Sequence, residues 1–275
     1  MIKMIAADMD GKSLDENGEF DRSRFIQLLD RLDKENIKFV VATGNDMERL
    51  GMMFGDLCQR LYFVAENGTH LLEGLQTQVH QMIDEQLVKD FLRYFQNQHA
   101  HYCISLSTEQ STYMLEGAQF PVSSLRAITP EQQEMFLGRV NRVKSFENFT
   151  EKITKISMLV EESDCKTIMT DFNLHFNGNL TAITSGFGSI DIIQTGYHKA
   201  WGLSYFMEKY HVLPEEVMTF GDVGNDIEML KLAGFSFAMD NAPLEVKQSA
   251  KFIAPSHTDA GVFQVVESYL DSLKA

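Results

Sequence analysis

The chain has 275 residues, 44% of them hydrophobic, and a formal net charge of −15. That length permits one large domain or two smaller ones, with enough apolar content for a sizeable core. So acidic a surface argues against a basic nucleic-acid groove or an anionic membrane as partner, and an anionic ligand would need a locally positive pocket.

Residues 2–7 are a short apolar run ending at Asp8, the pattern of a buried parallel strand. A turn region rich in Gly, Asp and Asn continues through Asp21. Phe25, Leu28, Leu29 and Leu32 fall at helical spacing and predict an amphipathic helix over 22–35. "IKFVVATG" (37–44) reads as a second buried strand, 45–56 as a helix, and "LYFVAENG" (61–68) as a third strand ending in a turn. This β-α-β-α-β order predicts a parallel sheet with helices on its faces.

The rhythm changes after about residue 80. "KISMLV" (155–160) and "LTAIT" (180–184) read as strands around a helix at 164–174. The α/β alternation resumes near "IDII" (190–193). "VMTFGD" (217–222) is a further strand, "GNDIEMLKLA" (224–233) a helix and "FSFAM" (235–239) another strand, with helices at about 243–250 and 260–273. The expectation is an α/β fold. Its doubly wound, Rossmann-like parallel sheet core spans 1–81 and 191–275, and an α/β module is inserted at 82–190.

Three cysteines at wide spacings, with no CxxC pair, point to reduced thiols and a cytoplasmic protein. "MIKMIAAD" is too short and too soon charged for a signal peptide, and no apolar run approaches the roughly 20 residues of a membrane helix.

In open parallel sheets, sites form at the carboxyl ends of strands. Asp8 and Asp10 follow the first strand, Thr43 and Gly44 the second, and Asp222, Asn225 and Asp226 the late one, while Lys199 opens a helix. Such a cluster supports phosphoryl transfer. Asp8 can attack phosphorus, and Asp10 can protonate the leaving alkoxide and later take a proton from water. Two carboxylates beside a phosphate call for a hard cation, and Asp8, the Asp10 main-chain carbonyl and Asp222 make an oxygen set suited to Mg²⁺. The Thr43 hydroxyl and the Gly44 amide would hold the phosphate, and Lys199 would offset charge in the transition state.

Four motifs in order, "DMDG" (8–11), "ATG" (42–44), Lys199 and "GDVGND" (221–226), resemble those of the haloacid dehalogenase-like hydrolases. The insertion after the third strand resembles the Cof subfamily, in which an α/β cap closes over the site. "FVVATGN" (39–45), "FVAENG" (63–68), "TSGFGSIDII" (184–193) and "HKAWGL" (198–203) look like its sugar-phosphate phosphatases. Asn45 stands where the wider subfamily commonly has Arg.

The resemblance implies a Mg²⁺-dependent phosphatase of small sugar phosphates, working through an aspartyl-phosphate as a monomer or weak homodimer. Asp8 and Asp10 would be catalytic, with Asp8, Asp10 and Asp222 at the metal. Thr43, Gly44, Asn45, Lys199 and Asn225 would bind substrate, and Asp226 would support them by ordering metal-bound water. The position after "DMDG", usually threonine in the family, is Lys12. An ammonium there would repel the cation and attract the phosphate, two opposed terms. A phosphomutase-like enzyme and a non-catalytic sugar-phosphate binder are the competing readings, the latter resting on Lys12.

Other residues carry two readings each. Asn45 can reach a sugar hydroxyl or cap its helix, and "GND" (224–226) can serve the site or cap a helix. Glu66 and Asn67 can steady the site or only make a turn. His99 and His101 form an HxH pair without a third ligand at a suitable spacing, which reads as a surface pair. His198 is expected to steady the Lys199 turn, Trp201 to pack beneath it, and "GFG" (186–188) to act as a hinge or a substrate-facing loop.

Overall fold

A computed structural model describes residues 1–9, 21–121, 138, 140–147, 149–186 and 188–274. Asp10, Gly11, Lys12 and Phe187 lie outside them, so the readings attached to these residues are not addressed by the structure. The chain divides into two compact units, one of Met1–His80 with Tyr197–Ala275, the other of Gln81–Gly196.

The first unit starts with β1 (Met4–Ala7), buried along its whole length. Helix α1 (Arg22–Lys34) follows, its first turn closed by the Asp21 side chain, which accepts from Arg24 N. Its buried residues are Phe25, Leu28, Leu29 and Leu32, the apolar stripe expected from the spacing. Next come β2 (Lys38–Ala42), α2 (Met47–Phe54) and β3 (Tyr62–Ala65). A tight turn at Glu66–Gly68 leads into an antiparallel pair, β4 (His70–Glu73) and β5 (Gln76–His80).

The second unit contains α3 (Glu85–Tyr94), β6 (Ser105–Ser107), β7 (Thr112–Leu115), β8 (Val140–Val143) and β9 (Lys155–Leu159). It continues with α4 (Glu162–His175), β10 (Leu180–Gly186) and β11 (Ser189–Gln194). Its strands form one sheet in the order β10-β11-β9-β6-β7-β8, parallel between β7 and β8 and antiparallel elsewhere. Apolar residues from α3 and α4, among them Phe91 and Phe172, pack with Ile156, Met158, Ile190 and Ile192 of the sheet as one core.

The chain returns to the first unit with α5 (Lys199–Lys209), β12 (Val217–Gly221), α6 (Ile227–Leu232) and β13 (Phe235–Met239). It closes with α7 (Leu244–Ser249), β14 (Phe252–Ala254) and α8 (Gly261–Ser272).

The sheet of the first unit runs β14-β13-β12-β1-β2-β3-β4-β5, parallel from β14 to β3. Alternation along the strands divides the core in two. Ile5, Ala7, Phe39, Val41, Phe63 and Ala65 face one layer with Phe25 and Phe263. Met4, Ala6, Val40, Ala42 and Val64 face the other, with Leu203 and Phe206 of α5. Because both faces are covered, these strands read as continuous apolar runs. Strand order reverses at β1, with β2 on one side and β12 on the other, and a crevice at the carboxyl ends follows from that reversal.

Two expectations are corrected. "IDII" belongs to β11, paired with β10 and β9 in the second sheet, so the chain returns to the first unit at Tyr197 rather than at 191. The helix expected over 45–56 ends at Phe54, and a 3-10 segment, Gly55–Arg60, leads to β3.

Candidate active site

Asp8 leaves the end of β1 with its amide donating to Phe220 O of β12, 3.2 Å away, which ties the two strand ends together. Lys199 is the first residue of α5, and its side chain is completely buried. His198 caps that helix, its Nδ1 accepting from Trp201 N, so this histidine does steady the turn. Trp201 packs edge-on against Tyr197.

Among the described residues, the Lys199 ammonium reaches Asp8, Asp226 and Asn225. Asp8 Oδ2 is 3.0 Å away, Asp226 Oδ1 2.8 Å and Asn225 Oδ1 3.3 Å. A buried ammonium needs partners of this kind, because burial without them would cost several kcal/mol. Asp226 spends its other oxygen on the backbone, where Oδ2 accepts from Asp222 N and Val223 N. Its carboxylate therefore fixes the loop after β12 and orients Lys199 at once. Asp222 follows β12 directly, and its Oδ2 accepts from Asn241 Nδ2 at 2.8 Å.

Asn225 is clamped from both ends, accepting from Lys199 and donating through Nδ2 to Asn67 Oδ1 at 2.9 Å. Asn67 N in turn donates to Thr43 O, and Glu66 N to Asn45 O. The Glu66–Gly68 turn thus joins the loops after β2 and β12, the steadying function considered for Asn67. The turn needs unusual backbone. Glu66 and Asn67 have φ of +50° and +59°, and Gly68 has φ of +112°. A Cβ on Gly68 would lie 2.3 Å from His198 O, so only glycine lets the turn approach the start of α5.

Thr43 is buried, and its Oγ1 accepts from Asn45 N at 2.9 Å. A hydroxyl that accepts there directs its own hydrogen elsewhere. Gly44 lies buried beside it. Capping of α2 falls to Asp46, whose side chain accepts from Arg49 N, so Asn45 does not cap that helix. "GND" forms a short 3-10 turn before α6. His99 turns to the Leu92 carbonyl.

The fold therefore gathers Asp8, Lys199, Asp222, Asn225 and Asp226, with Thr43, Gly44 and Asn45 on the neighbouring loop. A cleft opens on Asp8 and Asp222, lined also by Gly221, Met239, His257 and Gly261. Carboxylate oxygens of Asp8, Asp222 and Asp226 lie within 4.8 Å of one another, a hard-oxygen group able to hold a cation. Asp226 is engaged on both oxygens, by Lys199 on one and by the Asp222 and Val223 amides on the other. Asn241 was missed by the sequence reading. Its signal was faint, a short polar residue just past the carboxyl end of β13.

The haloacid dehalogenase-like hydrolase family model matches residues 5–266. The chain belongs to the haloacid dehalogenase-like hydrolases. The 5-amino-6-(5-phospho-D-ribitylamino)uracil phosphatase YbjI of Escherichia coli (strain K12) is 31% identical, across 98% of this chain and 96% of that protein. The phosphatase YcsE of Bacillus subtilis (strain 168), named for the same reaction, is 24% identical over 98% of this chain and 96% of its own. Among solved structures, SMU.1108c from Streptococcus mutans UA159 superposes with a TM-score of 0.88 at 33% identity, covering 98% of this chain and 100% of that one. The protein is a phosphatase, a phosphoric monoester hydrolase acting on a phosphorylated small molecule. Among the described residues no helix is long and apolar enough to cross a membrane.

Proposed function

We propose that this hydrolase cleaves phosphate monoesters of small sugars and sugar alcohols, with Mg²⁺, through an aspartyl-phosphate on Asp8. The observation that carries the reading is Asp8 at the end of β1, held by a buried Lys199 at 3.0 Å and flanked by Asp222. An Asp8 carboxylate oxygen attacks phosphorus, and the ester P–O bond breaks. Asp10 gives a proton to the departing alkoxide, then takes one from the water that cleaves the acyl phosphate. Lys199 and the Thr43–Gly44 loop offset charge on the phosphoryl oxygens, with Asn225 alongside. Asn45 contacts the sugar, and Asp226 holds Lys199 and the Asp222 loop in position.

Among the described residues, the Asp8, Asp222 and Asp226 carboxylates outnumber the Lys199 ammonium, a surplus of negative charge that disfavours an incoming phosphate. The hard oxygens of Asp8 and Asp222 suit Mg²⁺, which when bound supplies the compensating positive charge. Selection of the alcohol portion is ascribed to the unit Gln81–Gly196. The relatives in Escherichia coli and Bacillus subtilis are named for a substrate carrying a phosphorylated ribityl chain, which favours polyol phosphates within the class.

Inorganic phosphate release across a panel of sugar and ribityl phosphates, with Mg²⁺ and with chelator, tests the proposal. Metal-dependent release concentrated on polyol phosphates is expected. Release that ignores the metal, or confined to aryl or nucleotide phosphates, would defeat it. A phosphomutase would return the group to a bound sugar and release little phosphate.

A further inference from the structure

Glu66, His70 and His80 meet in a second cluster of ligand-type side chains, and the phosphate chemistry uses none of them. His70 and His80 stand directly opposite in the β4–β5 register, so both side chains share a face. Their rings lie face to face, centroids 3.7 Å apart and planes 4° from parallel. Glu66, only 7% exposed, comes from the turn before β4 and sets Oε2 at 3.4 Å from His80 Nε2. One donor atom from each residue lies within 4.8 Å of the other two.

Two imidazoles and a carboxylate make a donor set for zinc and similar borderline ions, whereas Mg²⁺ prefers all-oxygen sites. Burial, reinforced by neighbouring His80, pushes the His70 pKa down to about 4. Thr77 Oγ1 lies 3.0 Å from His70 Nε2, the kind of partner that fixes the tautomer of a metal-bound imidazole. A β-bulge between Leu71 and Leu72 distorts the ladder beside it, as bulges do where a side chain is re-aimed. Metal–ligand bonds of about 2.0–2.2 Å need the donors closer together than in the stacked arrangement, a change that ring rotation supplies.

We propose that Glu66, His70 and His80 bind a zinc-like divalent transition ion with a fourth position open to water, separately from the oxygen cluster of Asp8 and Asp222. The site adjoins Asn67, whose Oδ1 holds Asn225, so a bound ion would sit one residue from the phosphate loops.

The test strips the full-length protein with chelator and titrates Zn²⁺ against a chromophoric chelator, with millimolar Mg²⁺ occupying the carboxylate cluster. One zinc per chain at micromolar affinity or better is expected, weakened tenfold or more in each of His70→Gln, His80→Gln and Glu66→Gln. Zinc bound equally well by all three variants, as at His99 and His101, would overturn the assignment, and so would no micromolar binding by the native chain. Co²⁺ loaded into the native chain gives a readout independent of variant folding. Intense visible bands of a low-symmetry nitrogen site are expected, and the weak spectrum of octahedral oxygen ligation would count against it.

Discussion

Lys199 is the residue on which the site turns, because one buried ammonium serves Asp8, Asn225 and Asp226 together. Lys199→Met removes the ammonium that pairs with the Asp8 and Asp226 carboxylates. The expected cost is about 3–5 kcal/mol of stability by urea denaturation, the range for breaking a buried pair. A loss below about 1 kcal/mol would show that the charges are solvated rather than buried. Asn241 makes a subtler prediction, since it orients Asp222 through one hydrogen bond. Asn241→Leu is expected to raise the Mg²⁺ concentration for half-maximal activity by about 10–100-fold, the usual effect of removing a partner that orients a metal ligand. Activity at saturating metal is expected to stay near native, and an unchanged metal requirement would disconnect Asn241 from the site. Asp8, Lys199 and Asp222 were legible in the sequence because each follows a strand or opens a helix. Asn241 was not, because its importance rests on a contact with a residue from another strand end.

At the scale of elements, the turn at Glu66–Gly68 carries more than its three residues suggest. Gly68→Ala meets both a φ of +112° and the His198 carbonyl at 2.3 Å, so the first turn of α5 must shift. Phosphatase activity should fall further than the loss of stability explains, because α5 begins with Lys199. Activity and thermal stability falling in proportion would make the turn a matter of folding alone. Asp46→Ala, which removes the cap of α2, should cost about 1 kcal/mol in chemical denaturation. The parallel strands and α1 were readable because full burial and helical spacing leave clear local patterns. β4, β5 and β14 were missed, as short pieces with half-exposed residues offer little periodicity. "IDII" was taken as the point where the first unit's alternation resumes, yet it pairs within the second sheet, since an apolar run does not encode its pairing partner.

At the scale of the molecule, the three cysteines report on both units. Cys58 lies in the first, Cys103 and Cys165 in the second, and all three are buried and unpaired with one another. Burial raises each thiol pKa, that of Cys103 to about 11. A thiol-specific reagent at pH 8 should therefore find no reactive cysteine in the folded protein and three after denaturation. A rapid reaction in native buffer would mean that one unit opens readily.

One comparison tests most directly whether Asp8 is the nucleophile. Phosphate release by native protein and by Asp8→Asn is measured on the same sugar phosphate with Mg²⁺, with circular dichroism to show that both are folded. A folded variant whose rate falls by about 10³-fold or more is expected. A folded Asp8→Asn that keeps near-native turnover would contradict that role.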